Sequence, residues 1–312
     1  MMRRFALVLV LVMAVLPALV PAQEPPKPAV VKSVPQYLQD TSATVRSLRG
    51  SGSGTFKVTK DGGVWILTCA HVVEGNRTQR EAIVGGAKKT IVEFVDMQIL
   101  ITRIKDGRKV GETILDAEVV RYSDAENGHD LALLRIRDDD YKPKASLKFY
   151  LDKELPPIGV ELYHCGSLLG NFGAQSITFG IMSQHGRILF GQPFDQAQCT
   201  AFPGSSGGAV VMKEDGRYVG MVVRGAGEGF NLIVPVRRIV HWSKQTGIDF
   251  ILDDTKPVPS MDDLRKVPID DTDAVRKDAN KTDRSFPCLF SWDRPSNLLE
   301  VEQIEHMPRL LP

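Results

Sequence analysis

Short runs of β-branched and aliphatic residues, separated by turn residues, recur from about Ser33 to Ile251. Val64-Trp65-Ile66-Leu67, Thr90 to Val95, Leu131 to Ile136, Val160 to Tyr163 and Tyr218 to Val223 each read as a strand. Many short strands in close succession predict a sandwich or barrel. A single helical face emerges late, where Val236, Ile239, Val240 and Ser243 recur at helical spacing and Gly247 follows as a stop. Beyond Leu252 the pattern is lost. Asp253-Asp254, Asp262-Asp263 and Asp270-Asp271 alternate with Lys, Arg and Pro, so 253–312 reads as a charged, disordered tail.

The first residues change the picture of where the chain works. Met1-Met2-Arg3-Arg4, the apolar run from Phe5 to Val20 and the small residues up to Ala22 predict a signal peptide over 1–22. Pro17 interrupts that run, and a spanning helix needs about 20 apolar residues, so membrane contact follows only if the leader stays uncleaved. The expected location is exported, periplasmic or secreted. Gln23 to Pro28 is proline-rich, and 23–32 reads as a linker. A formal net charge of +1, with 43% hydrophobic and 25% charged residues, suits a folded globular protein and gives no nucleic-acid surface. Export would permit disulfides among Cys69, Cys165, Cys199 and Cys288. Three pairings are open, as are free buried thiols.

Three segments carry candidate chemistry. Leu67-Thr68-Cys69-Ala70-His71-Val72-Val73 sets a histidine after a hydrophobic strand. Gly128-His129-Asp130-Leu131-Ala132-Leu133-Leu134 leads an aspartate into a buried strand. Pro203-Gly204-Ser205-Ser206-Gly207-Gly208-Ala209-Val210 holds a serine in a glycine-rich turn. Acyl transfer to serine needs a hydroxyl, a base to take its proton and a carboxylate to fix the base, and each segment supplies one. Any single segment has a bland reading as a structural histidine, a strand-start aspartate or an ordinary turn. Their conjunction within one domain-sized stretch is specific, and His71, Asp130 and Ser206 form the predicted catalytic triad. Backbone amides of Gly204 and Ser206 would supply an oxyanion hole, which requires a tight loop aiming N–H groups inward.

Together these segments resemble the trypsin-like (chymotrypsin-fold) serine peptidases, most closely the bacterial HtrA/Deg-type branch. Gly50 to Phe56 and Asp61 to Val73 resemble the family's opening strands through its histidine. Asp130 to Ile136 is similar to its aspartate strand, Gly204 to Gly208 to its nucleophile loop, and Gly229-Phe230-Asn231-Leu232-Ile233-Val234-Pro235 to its last strand. The resemblance covers about Val34 to Thr246. It implies an all-β fold of two six-stranded antiparallel barrels, about 33–140 and 157–235, with a closing helix at about 236–247. A serine endopeptidase acting on protein or peptide substrates through an acyl-enzyme is the implied activity, with no cofactor and no metal. A peptide-binding module without catalysis is the alternative. By the same resemblance Thr200 sets the floor of a substrate pocket, and Val223, Arg224, Gly225 and Gly229 set its walls. That pocket suits a small or medium uncharged side chain; with Arg224 near its mouth, an acidic one is the main alternative.

The chain also departs from the family. Ser205 replaces the Asn or Asp usual before the nucleophile, Cys69 has no cysteine partner in Gly50 to Phe56, and the segment after Leu252 is too short and polar for a PDZ domain. Gly50 to Gly54 lacks the Gly-Lys-Ser/Thr of a phosphate loop. His129 reads as a surface or supporting residue on the face opposite Asp130, Trp242 as a packing residue, and His164, Cys165 and Cys199 as core at no zinc spacing.

Overall fold

Runs buried along their whole length, rather than alternating ones, build the core. The structure, a computed structural model, describes residues 33–225, 227 and 229–271. A helix α1 (Val34–Asp40), capped by the Ser33 hydroxyl and anchored by buried Leu38, precedes the first strands. Strands β1 (Ser42–Arg46), β2 (Ser51–Val58) and β3 (Val64–Thr68) follow in antiparallel register. A one-turn helix α2 (Ala70–Val73) then leads into a separate hairpin, β4 (Arg77–Val84) and β5 (Ala87–Phe94). Strands β6 (Met97–Lys105), β7 (Arg108–Ser123) and β8 (Leu131–Ile136) complete a closed six-stranded barrel in the order β1-β2-β3-β8-β7-β6. Closure leaves no exposed sheet edge.

The second barrel repeats the design. It closes in the order β10-β11-β14-β13-β12-β9 from β9 (Glu161–Leu168), β10 (Gly173–Leu189), β11 (Gln192–Ala197), β12 (Ala209–Met212), β13 (Tyr218–Gly225) and β14 (Asn231–Pro235). The predicted closing helix is α3 (Val236–Gln245), with Ile239 and Trp242 buried. Every strand read from the sequence lies within or beside an observed one. Cys69, Cys165 and Cys199 are buried, and burial pushes the Cys165 and Cys199 thiols up to about 12. Cys288 lies outside the described residues, as do the predicted leader and linker.

Residues 253–271 differ from the expected solvated tail. A short helix α4 (Met261–Arg265) buries Leu264, and the chain then runs beside β7 as a single parallel bridge. Tyr122 N–H donates to Ile269 O at 2.8 Å, and Asp271 N–H donates to Tyr122 O at 3.1 Å. Asp270 pairs with Arg77 at 2.6 Å, and Trp242 Nε1–H donates to Asp271 Oδ2 at 3.0 Å. Among the described residues, the fully buried Arg121 guanidinium donates to the carbonyls of Val120, Thr246 and Leu264. This strap is charged in composition, yet a few buried anchors and paired charges fasten it. Among the described residues, no helix is long and apolar enough to cross a membrane.

Candidate active site

Residues 123–130 form a loop that is almost wholly determined by its own hydrogen bonds. Asp124 Oδ1 accepts from the amides of Glu126 at 3.0 Å and Asn127 at 2.6 Å, an Asx-type turn. Asp130 N–H donates to Asp124 O at 3.1 Å, and His129 N–H to Ser123 Oγ at 2.8 Å. A Cβ at Gly128 would stand 2.6 Å from Asp124 N, so only glycine fits there. The loop delivers Asp130 to β8 at φ +53°, a left-handed conformation that a short polar side chain tolerates better than most. His129 is buried and stacks edge-on against His241 at 5.8 Å, so the expected surface position is corrected to one packed under α3. Burial, with Arg238 nearby, pulls His129 down to about 3.

His71 enters from α2 of the same barrel. Its Nδ1 lies 3.0 Å from both carboxylate oxygens of Asp130, and its backbone N–H donates to Asp130 Oδ1 at 3.2 Å. Asp130 is 1% exposed, whereas His71 keeps 19% of its side chain accessible. Burial alone would raise the Asp130 carboxyl, but the His71 ring and amide, with Arg224, hold it below the usual carboxylate range. The carboxylate is therefore an anion fixed against the imidazole, which favours the tautomer with the proton on Nδ1 and the lone pair on Nε2.

Two consecutive turns from the second barrel present Ser206. Ser205 N–H donates to Phe202 O at 2.9 Å with Pro203 and Gly204 between them, Gly204 at φ +94°. Gly208 N–H donates to Ser205 O at 2.9 Å with Ser206 and Gly207 between them, Gly207 at φ +86°. Positive φ at the third residue, and proline at the second of the first turn, are the type II pattern. A Cβ would meet Ser167 O at 2.2 Å from Gly204, and Ser53 O at 2.1 Å from Gly207, so both glycines also allow close backbone approach. Among the described residues, neither the Gly204 nor the Ser206 amide donates to a protein acceptor. Ser205 is 1% exposed, and its Oγ accepts from Phe202 N–H at 3.1 Å, so local bonding orders this loop without a charged group.

The turns are tied to both barrels. Ser53 N–H donates to Ser206 O at 2.7 Å, and Ser53 Oγ to Gly204 O at 2.7 Å. Gly207 N–H donates to Val222 O at 2.8 Å, and Val222 N–H to Gly208 O at 3.0 Å. Ser53 on β2 was not singled out in the sequence; the run Gly50 to Gly54 that contains it reads there only as a family strand. Gly52 gives the only further hint, because a Cβ there would stand 2.5 Å from the Val72 side chain and 3.0 Å from Ser206 O.

Of the predicted pocket residues, Thr200 is half-buried, with its carbonyl accepting from Thr178 Oγ1 at 2.8 Å. Asn231 Nδ2–H donates to Cys199 O at 2.6 Å, which ties that segment to β14. Val223 and Gly225 are buried in β13, and Gly229 sits at φ +77° beyond it. Arg224 does not stand at a pocket mouth: it is 7% exposed, and its guanidinium faces Asp130. His164 is buried and its Nδ1–H donates to Ala209 O at 3.1 Å, and burial pulls it down to about 4, in keeping with a core role.

A model of the trypsin-like peptidase domain matches residues 52–221, a span that contains all three predicted triad residues. No curated protein matches the chain. Among solved structures, a serine endoprotease from Yersinia pestis is 24% identical, with a TM-score of 0.48, over 70% of this chain and 66% of that one. The inactive form of a serine-to-alanine mutant from M. tuberculosis H37Rv is 18% identical, with a TM-score of 0.48, over 76% of this chain and 98% of that one. The chain thus spans just under two thirds of the Yersinia chain.

Proposed function

We propose that this chain, which belongs to the trypsin-like peptidase family, is an exported serine endopeptidase that cleaves protein or peptide substrates through an acyl-enzyme. Ser206 attacks the scissile carbonyl while His71 Nε2 takes its proton. Asp130 holds the ring through Nδ1 and stabilises the imidazolium that forms. The imidazolium then protonates the departing amine, and a water activated by the same nitrogen releases the acyl group. Amides of Gly204 and Ser206 receive the oxyanion, and neither donates to another described residue.

One observation carries the reading: a fully buried carboxylate lies 3.0 Å from His71 Nδ1 through both oxygens, while the His71 side chain keeps 19% of its surface accessible. A binding module has no need for a matched base and buried anion. The exported location rests on the leader pattern of residues 1–22.

The test is reaction with a fluorophosphonate probe, peptide mapping of the adduct, and casein hydrolysis by the Ser206→Ala protein. Labelling should fall on Ser206, and the variant should lose about 10⁴ to 10⁶ in turnover, the range set by removal of triad members in comparable enzymes. A folded Ser206→Ala protein that cleaves casein at the wild-type rate would sink the proposal.

A further inference from the structure

Strand β13 does two things at the site. Val222 clamps the nucleophile turns through paired backbone bonds to Gly207 and Gly208. Two residues on, Arg224 reaches the triad carboxylate, with Nη2 3.4 Å from Asp130 Oδ2 and donating to Ala125 O at 2.7 Å. Its guanidinium lies over the Phe190 ring at 5.3 Å, which fixes the plane of the group. Ala125 belongs to the loop that presents Asp130, so Arg224 grips both the carboxylate and the backbone behind it. The register of β13 against β14 shifts between Val222 and Arg224, a bulge that re-aims the side chain away from ordinary alternation.

We propose that Arg224 is a positioning residue of the triad, acting through Asp130 to keep His71 an unprotonated base at lower pH than the carboxylate alone would allow. This rests on the triad reading above. A fixed cation beside Asp130 takes part of the field that would otherwise favour the imidazolium, and it repels that imidazolium directly. The Asp130 carboxyl already responds to Arg224 as well as to His71. Among the described residues, the other ionisable groups that face the pair are Cys69, whose sulfur lies within 4.8 Å of the His71 and Asp130 ligand atoms, and Arg238 on α3, whose charge also bears on Asp130. Arg238 contacts Asp130 only through space, since its Nη2 donates to His129 O at 2.6 Å. Arg224 is the cation within direct reach of the carboxylate among the described residues.

The experiment measures fluorophosphonate labelling of Ser206, and kcat/KM for a peptide, against pH in the full chain carrying Arg224→Met, Arg224→Gln or Arg224→Lys. Loss of the charge should move the acid-side midpoint of both profiles up by about one pH unit, the lower end of the effect of one neighbouring charge. Lys keeps the charge, so Arg224→Lys should return most of the shift even where its plateau rate stays low. Should the Met variant fail to fold, the Gln and Lys variants supply the same comparison of neutral and charged side chains. A lowered plateau with an unmoved midpoint in the neutral variants means that Arg224 is structural, and overturns the proposal. Wild-type protein whose Ser206 does not react at any pH overturns the triad reading itself, and this one with it.

Discussion

Cutting the chain after Asp254 should cost the first barrel most of its stability, although the residues removed are mainly charged. The strap buries Leu264 at 2% exposure, and truncating such a leucine costs about 2–5 kcal/mol. Losing the two backbone bonds at Tyr122 adds roughly 0.5–1.5 kcal/mol each. Arg121 would also lose the Leu264 carbonyl, and an under-satisfied buried cation costs on the order of 1–3 kcal/mol more. These contributions approach the ~5–15 kcal/mol that keeps a typical domain folded. Urea unfolding followed by tryptophan fluorescence is the assay, since Trp65 and Trp242 are both fully buried. The truncated protein should unfold at a much lower midpoint or fail to fold, whereas Leu264→Ala in the full chain should fold with a loss of about 2–4 kcal/mol, which assigns the effect to the strap. Activity should fall in parallel, because Tyr122 immediately precedes Ser123, whose hydroxyl fixes His129 beside the triad carboxylate. A truncated protein with the full chain's midpoint would refute the account.

Two further outcomes follow from single residues. Burial drives the Asp271 carboxyl up from an ordinary value to about 6, against the opposing hydrogen bonds of Ser123 and Trp242. The folded protein holds that proton more tightly than the unfolded chain, so this contribution is complete below about pH 4 and is lost as pH rises to about 6. At roughly 1.4 kcal/mol per unit it amounts to at most ~3 kcal/mol, and Asp271→Asn should remove the dependence and unfold later than wild type at pH 7. A wild-type midpoint that is flat between pH 4 and 7, after subtraction of the Asn variant, would contradict it. Gly204→Ala should abolish peptidase activity at neutral pH while most of the fold survives, because a methyl group 2.2 Å from Ser167 O forces the first turn to rearrange and turns its amide. Circular dichroism with peptide hydrolysis reads both parts, and an active Gly204→Ala enzyme would show that this turn does not build the oxyanion site.

The candidate site was largely legible in the sequence because its chemistry is tied to local shape. Gly204 and Gly207 are read as turn glycines, and both are required by positive φ and by backbone approach. The Leu131 to Ile136 run is read as a buried strand and becomes β8, with Asp130 at its mouth. The strap was not legible, since its hold depends on a handful of buried contacts with distant residues, which composition averages away. Long strands were missed for a related reason: β7 and β10 contain register shifts against their neighbours, and each bulge breaks the period that would announce a strand.

The bulge in β13 carries the same lesson into the chemistry. Side chains two apart on a regular strand share a face, whereas the family resemblance alone places Arg224 at the mouth of a pocket. The shift between Val222 and Arg224 breaks that rule at the point where the strand passes the triad. What would have been a substrate-facing cation is instead 3.4 Å from the Asp130 carboxylate and 7% exposed. An arginine can serve there because its planar group donates to Ala125 O and approaches Asp130 Oδ2 from the same nitrogen while its face rests on Phe190. With Arg224 turned inward, its charge tunes His71 through Asp130 and is withdrawn from substrate recognition, so the acidic side chain that stood as the alternative to an uncharged one loses its partner in the pocket.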